Sequence, residues 1–329
     1  MRPVNVQGST YNGGSVTALA PGKQAGYVQR SQSPVYRPFS WSGTAASGVD
    51  MSPPNHAYLE VLAIAGNNQY GYTRATLSGA SQAARWSGAA NTYMSLAPVG
   101  STSSLITGAD ANFGYGDARV NGIWQATRWN FSDGTTSSLH SGPWTESSIL
   151  GSRGNSQVGS VFDGQTQAAV WTNNGQTITA LGPANATSSA AHGVSGSIQV
   201  GQATINGVSQ AAVWRGTAAS FMSLHPNGAT ESAILDIDGN FAVGYALING
   251  AFEGMVWNVA NGQFVMLNQA TGRNVLPGVI RLDGNQLTIG GQVQGQAGIL
   301  TTTIVPEPTS LLAIAFGALA LRARRKRGN

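Results

Sequence analysis

Short apolar runs separated by Gly-, Asn- and Ser-rich turns recur along the whole chain, and the same run returns from one end to the other. The stretch Phe241 to Leu267, FAVGYALINGAFEGMVWNVANGQFVML, shows the repeating unit most clearly. Its strand glycine, Gly244, has counterparts at Gly26, Gly71, Gly116, Gly159, Gly201 and Gly290, with successive spacings of 45, 45, 43, 42, 43 and 46 residues. Trp257 has counterparts at Trp41, Trp86, Trp129, Trp171 and Trp214, and in the seventh copy at Leu300. Ten residues after each tryptophan stands an apolar residue: Met51, Leu96, Leu139, Leu181, Leu224 and Leu267. Turn dipeptides such as Pro21-Gly22, Arg153-Gly154, Asp238-Gly239 and Asp283-Gly284 precede the strand glycines, where Gly supplies the positive φ of a tight hairpin.

Each copy reads as four strands, as in Ala233 to Ile237, Phe241 to Ala246, Glu253 to Asn258 and Gln263 to Asn268. A period of 42 to 46 residues fits a four-stranded propeller blade and is too long for a β-helix rung. The chain is therefore expected to be all-β, a single seven-bladed β-propeller over residues 1–302. The seventh copy offers strands near Val279 to Asp283, Gln286 to Val293 and Ala297 to Thr302, then runs out before a fourth. Pro3 to Gln7 stands before Pro21-Gly22 at about the distance that separates Leu224 from Asp238-Gly239, with Val6 in the place of Leu224. An N-terminal strand is expected to complete the last blade, closing the ring without an exposed edge. The six repeated tryptophans read as core residues between blades.

Composition agrees: 44 glycines and only 9% charged residues suit many short strands and tight turns. The absence of cysteine excludes disulfides, thiolate metal ligands and cysteine nucleophiles. The net charge of +4 is not a nucleic-acid footprint, because Arg322, Arg324, Arg325, Lys326 and Arg327 hold five of the 17 basic residues. Up to Leu321, 12 basic residues face 13 acidic ones, a net charge of −1, so no nucleic-acid partner is expected.

The segments GNFAVGYALING, QAAVW (twice) and EGMVW resemble the bacterial extracellular repeats called the HAF family, over residues 1–302. The resemblance implies an exported, mostly β repeat domain, in a family without a settled activity.

After residue 303 the character of the sequence changes. A linker at 303–309 carries Pro306-Glu307-Pro308, and residues 310–329 hold the apolar run Leu311 to Leu321 followed by the basic cluster. Proline opposes helix, so the tripeptide marks a boundary before a short apolar helix. Eleven helical residues span about 16 Å, short of the roughly 30 Å hydrocarbon core, while the basic cluster would hold the terminus on the cytoplasmic side. This ordered trio resembles the PEP-CTERM sorting signal of Gram-negative bacteria that make exopolysaccharide. The resemblance implies transient retention in the inner membrane, cleavage near Pro-Glu-Pro by an exosortase, and release to the cell surface or matrix. It also implies a secretory leader; MRPVNVQGSTYNGG has no apolar run, so the leader is expected upstream of Met1.

Candidate chemistry is sparse. Asp236-Ile237-Asp238-Gly239-Asn240 has the carboxylate spacing of the start of a calcium loop, but it lacks the later Glu and coincides with the repeat's own turn. His140 and His225 follow the blade leucine in equivalent copies, which favours a loop role; His56 and His192 have no partner carboxylate at a recognisable spacing. No Gly-x-Ser-x-Gly elbow is present, and no metal or cofactor is expected. Trp124 and Trp144 fall outside the repeating position. Trp124 follows the Asn121-Gly122 turn of the third blade and Trp144 sits in the crossover leaving it, so both are expected on one face of one sector as a surface for stacking a sugar. The alternative is plain packing, since Tyr36 and Phe252 hold positions equivalent to Trp124.

The expected function is that of an exported surface or extracellular-matrix propeller with a structural or binding role, its partners being exopolysaccharide or surface proteins. Alternatives are a sugar-active hydrolase or lyase and a protein-interaction platform. A non-enzymatic role is favoured because the 13 acidic residues show no paired grouping in the sequence.

Overall fold

A computed structural model describes residues 4–6, 9–30, 35–304 and 316–317, with side chains at 12–30 and 35–304. Seven antiparallel sheets follow one another along the chain, each a meander whose strands pair in sequence order. In the sixth blade the strands are Ala229–Asp238, Phe241–Ile248, Ala251–Asn258 and Gln263–Met266. The last ends earlier than the sequence suggested, because Leu267–Thr271 forms a single α-helical turn. First strands of consecutive blades touch all round the ring, including the first against the seventh, so they form the inner wall of a seven-bladed propeller.

The repeated glycine is required by the inner strand. Each first strand carries a register shift, for example between Val61 and Ala63, between Ile149 and Gly151 and between Ala191 and Gly193. This bulge drives a carbonyl toward the second strand. A Cβ placed on Gly71, Gly159 or Gly201 would overlap the carbonyl oxygen of Glu60, Ser148 or Ala190, respectively. In the seventh blade the residue in that place is Gly291, paired with Pro277 and crowded by the Leu276 carbonyl, one residue later than Gly290.

Blades are joined by two recurring bonds above an apolar layer. The backbone N–H of Ala83, Ala126, Ala168 and Ala211 donates to the hydroxyl of a buried serine on the next inner strand, Ser104, Ser147, Ser189 and Ser232, at 2.8–3.0 Å. The indole N–H of Trp129, Trp171 and Trp257 donates to the carbonyl of the preceding blade's leucine, Leu96, Leu139 and Leu224. Trp86 and Trp214 have an aromatic ring nearby, Tyr93 and Phe221, each at 6.0 Å between centroids. All six repeated tryptophans and Leu300 are buried.

Closure differs from the expected N-terminal strand. Val4–Val6 pairs with the start of the first blade's inner strand (Val4↔Tyr11, Val6↔Ser9), and Phe316–Gly317 holds the outer edge of the seventh blade opposite Thr302 and Thr301. A hairpin between neighbouring segments costs less loop-closure entropy than a pairing across the ring. The first and seventh blades meet through the Gly14 N–H bond to the Gly295 carbonyl (3.1 Å) and the apolar contacts of Val16 and Val28 with Ile299. The expected apolar helix lies outside the described residues, apart from Phe316–Gly317, which are extended.

Replacing Trp171, fully buried, by Ala should destabilise the protein by about 3–5 kcal/mol. Gly201→Ala should cost at least about 1–3 kcal/mol, since the obstructing atom is backbone. Chemical denaturation measures both, and an unchanged midpoint in either variant would contradict the packing described.

Candidate functional site

The residue after each strand glycine and the residue five before each repeated tryptophan lie on the same face of their blade. In the first blade these are Tyr27 and Tyr36, stacked at 4.4 Å, with Tyr58 of the second blade 4.9 Å from Tyr36. In the sixth they are Tyr245 and Phe252, edge to face at 5.4 Å. In the third blade they are Asp117 and Trp124. A carboxylate in place of a tyrosine leaves room, and a cleft of about 290 Å³ opens between the third and fourth blades.

Strand register sets both walls. Leu105, Asp117 and Trp124 come from one face of the third sheet, through the pairs Leu105↔Asp117 and Arg119↔Trp124. Glu146, Ser148, Ser160, Phe162 and Thr166 come from one face of the fourth, through Glu146↔Phe162, Ser148↔Ser160 and Phe162↔Thr166. Trp124 is half-buried and Phe162 exposed, so aromatic surface stands at the mouth while Asp117 lies in the floor.

Asp117 is 6% exposed and bridges the blades, its carboxylate accepting the Ser148 hydroxyl at 2.6 Å and the Ile149 N–H at 2.7 Å. Burial raises its pKa to about 7, against the lowering effect of those two bonds. Asp236 behaves alike: burial raises it to about 6, although Arg153 and the N–H groups of Ile280 and Ile237 favour its charged form. The calcium-like spacing is thus used for bracing: Asp236 accepts the Ile280 N–H, and Asp238 accepts the Leu282 N–H and pairs with Arg153 at 2.5 Å. Among the described residues no group of three or more His, Asp or Glu side chains could hold a metal.

Of the two off-pattern tryptophans, Trp124 lines the cleft, whereas Trp144 packs on the apolar cluster of Tyr115, Leu139 and Trp171 and is not among the lining residues. His140 and His225 each contact the inter-blade serine hydroxyl, Ser147 at 2.9 Å and Ser232 at 2.7 Å. His192 occupies the bulge of the fifth inner strand, where burial lowers its pKa to about 4. Sequence reasoning missed Asp117 and Glu146. The signal for Asp117 was the position after the strand glycine, where Tyr27, Tyr72 and Tyr245 stand in other blades. Glu146 needed the strand register.

The sorting residues Pro306, Glu307 and Pro308, and the segment Leu311 to Arg327 apart from residues 316 and 317, lie outside the described residues. A family model for the PEP-CTERM protein-sorting motif matches residues 305–327. The motif marks the chain for export and exosortase processing, with a surface or extracellular destination. Comparison with curated proteins found no match. Solved structures share the fold. They include a prolyl endopeptidase (TM-score 0.58, 11% identity, 93% of this chain and 50% of that one) and a puromycin-hydrolysing peptidase of Mycobacterium tuberculosis (0.58, 11%, 88% and 51%). The propeller domain of the Trilobed protease from Pyrococcus furiosus, described as having an open velcro topology, also matches (0.53, 7%, 89% and 93%). The chain spans about half the length of those two peptidases.

The buried acids give stability a pH dependence. Their folded pKa values lie above the unfolded ones, so the folded state binds more protons and stability falls as pH rises from about 4 to about 7. The slope approaches about 1.4 kcal/mol per pH unit for each proton. Asp117→Asn should flatten the part that persists above about pH 6. Denaturant titrations across this range measure the slope, and an Asn variant that retains the wild-type slope would contradict the assignment.

Proposed function

We propose that the protein is a glycan-binding component of the bacterial surface or extracellular matrix, built on HAF-type repeats and delivered by its sorting tail. The observation that carries this reading is the cleft between the third and fourth blades, with Trp124 as a flat wall and Asp117, Glu146, Ser148, Ser160 and Thr166 supplying hydrogen-bonding groups. Aromatic surface against a sugar ring, with polar groups reaching its hydroxyls, is the ordinary chemistry of carbohydrate recognition. The sorting motif supports it by directing the chain to the surface or extracellular space. Before processing, the exosortase and the inner membrane are partners; afterwards, polysaccharide is.

A glycan-cleaving enzyme is the rival reading, favoured by one observation: Asp117 and Glu146 line the same cleft. Release of reducing ends from polysaccharide by the purified body would support it.

Trp124→Ala should abolish retention on exopolysaccharide while changing stability by less than about 1 kcal/mol. Trp144→Ala should do the reverse, losing about 1–3 kcal/mol of stability through its packing on the cluster while keeping retention. Retention unchanged in Trp124→Ala would remove the cleft from the reading.

A further inference from the structure

The charge of the cleft narrows its ligand. Two of its lining residues, Asp117 and Glu146, bear carboxyl groups, and no Lys, Arg or His lines it. The remaining polar side chains are hydroxyls, Ser147, Ser148, Ser160 and Thr166, and Ser148 already donates to Asp117. Ser147 is likewise committed, accepting the Ala126 N–H and contacting His140. In either protonation state Asp117 offers oxygen acceptors and adds no cation. The cation nearest in register, Arg119 opposite Trp124, turns back on its hairpin and donates from Nε to the Gly122 carbonyl at 3.1 Å.

A sugar carboxylate would therefore face like charge without a compensating guanidinium, in a cleft whose floor is shielded from water. A protonated sugar amine would meet carboxyl acceptors and an indole face, both of which favour a cation. Resting on the glycan-binding reading above, we propose that the cleft selects a basic sugar residue, a hexosamine with a free amine, over its N-acetylated form and over uronic acids. The hexosamine ring lies against Trp124, and its ammonium group is held by Glu146 at the wall. The body's net charge of −1 up to Leu321 is too small to draw cationic polymers to the whole surface.

The test is calorimetric titration of the full chain, at mildly acidic pH where sugar amines are protonated, with three probes: a glucosamine tetramer, its fully N-acetylated counterpart and a galacturonate tetramer. The glucosamine tetramer should bind about five- to tenfold more tightly than the acetylated one, with the galacturonate tetramer unbound. Glu146→Gln should erase most of that preference, and Trp124→Ala should abolish binding of all probes. Equal affinity for the acetylated or acidic tetramer would overturn the selectivity and leave the glycan site standing, provided binding still requires Trp124. Glucosamine binding that survives Trp124→Ala would also overturn it, placing the ligand elsewhere. No binding by any tetramer would overturn both this inference and the reading beneath it.

Discussion

The bulge in each inner strand is the constraint on which the rest of the ring depends. Seven strands converge on one axis, and each shifts register by one residue near its middle, as at Val16/Ala18 and Ile234/Asp236. The shift sharpens local twist and forces a carbonyl into the neighbouring strand. Only a residue without a Cβ can lie opposite, so the glycine period follows from the geometry of the axis. With that pairing fixed, the second strand's alternation is fixed too, and with it which residues face the following blade.

The inter-blade layer follows in turn. Because the inner strands stay in phase, the serine of one blade meets the same alanine N–H of its predecessor four times in succession. Buried backbone donors that lie beyond reach of a strand partner are thereby satisfied, which matters more than the modest gain from each bond. The tryptophans fill the volume outside this seam. Three of them satisfy their own N–H on a leucine carbonyl of the preceding blade, so the residue ten places after one blade's tryptophan serves the tryptophan of the next.

The blade count, the four-strand meander and the buried tryptophans were legible in the sequence because they repeat; seven copies average away the ambiguity of any single short strand. What was illegible occurs once. The seventh glycine was misplaced by one residue because Gly290 and Gly291 adjoin, and it is the pairing of Gly291 with Pro277 at the bulge, against the Leu276 carbonyl, that separates them. Ring closure was misread because spacing says where a strand could reach, while pairing is decided by which partner lies closest along the chain. Trp144 sits in a crossover like many exposed residues, and only its packing on Tyr115, Leu139 and Trp171 distinguishes it from a surface aromatic. For the cleft, Trp124 was visible as an off-pattern aromatic, but its meaning lay in Asp117, seven residues earlier and on the same face of the sheet, and in Glu146 across the blade boundary.

A closed repeat makes such a departure tolerable. When each blade packs on its two neighbours, a polar substitution at one boundary is held in place by the others. At the first and sixth boundaries the upper layer is filled by paired aromatics, Tyr27 with Tyr36 and Tyr245 with Phe252. At the third, Asp117 gives up that aromatic contact and takes desolvation in its place, offset in part by Ser148 and Ile149 from the next blade. The carboxylate therefore lies in the floor of the cleft and braces its walls together. A larger apolar residue there would close the cleft, and a smaller one would open it but leave the Ile149 N–H unsatisfied. The cleft at this boundary thus holds a residue that the packing of the ring by itself would not select.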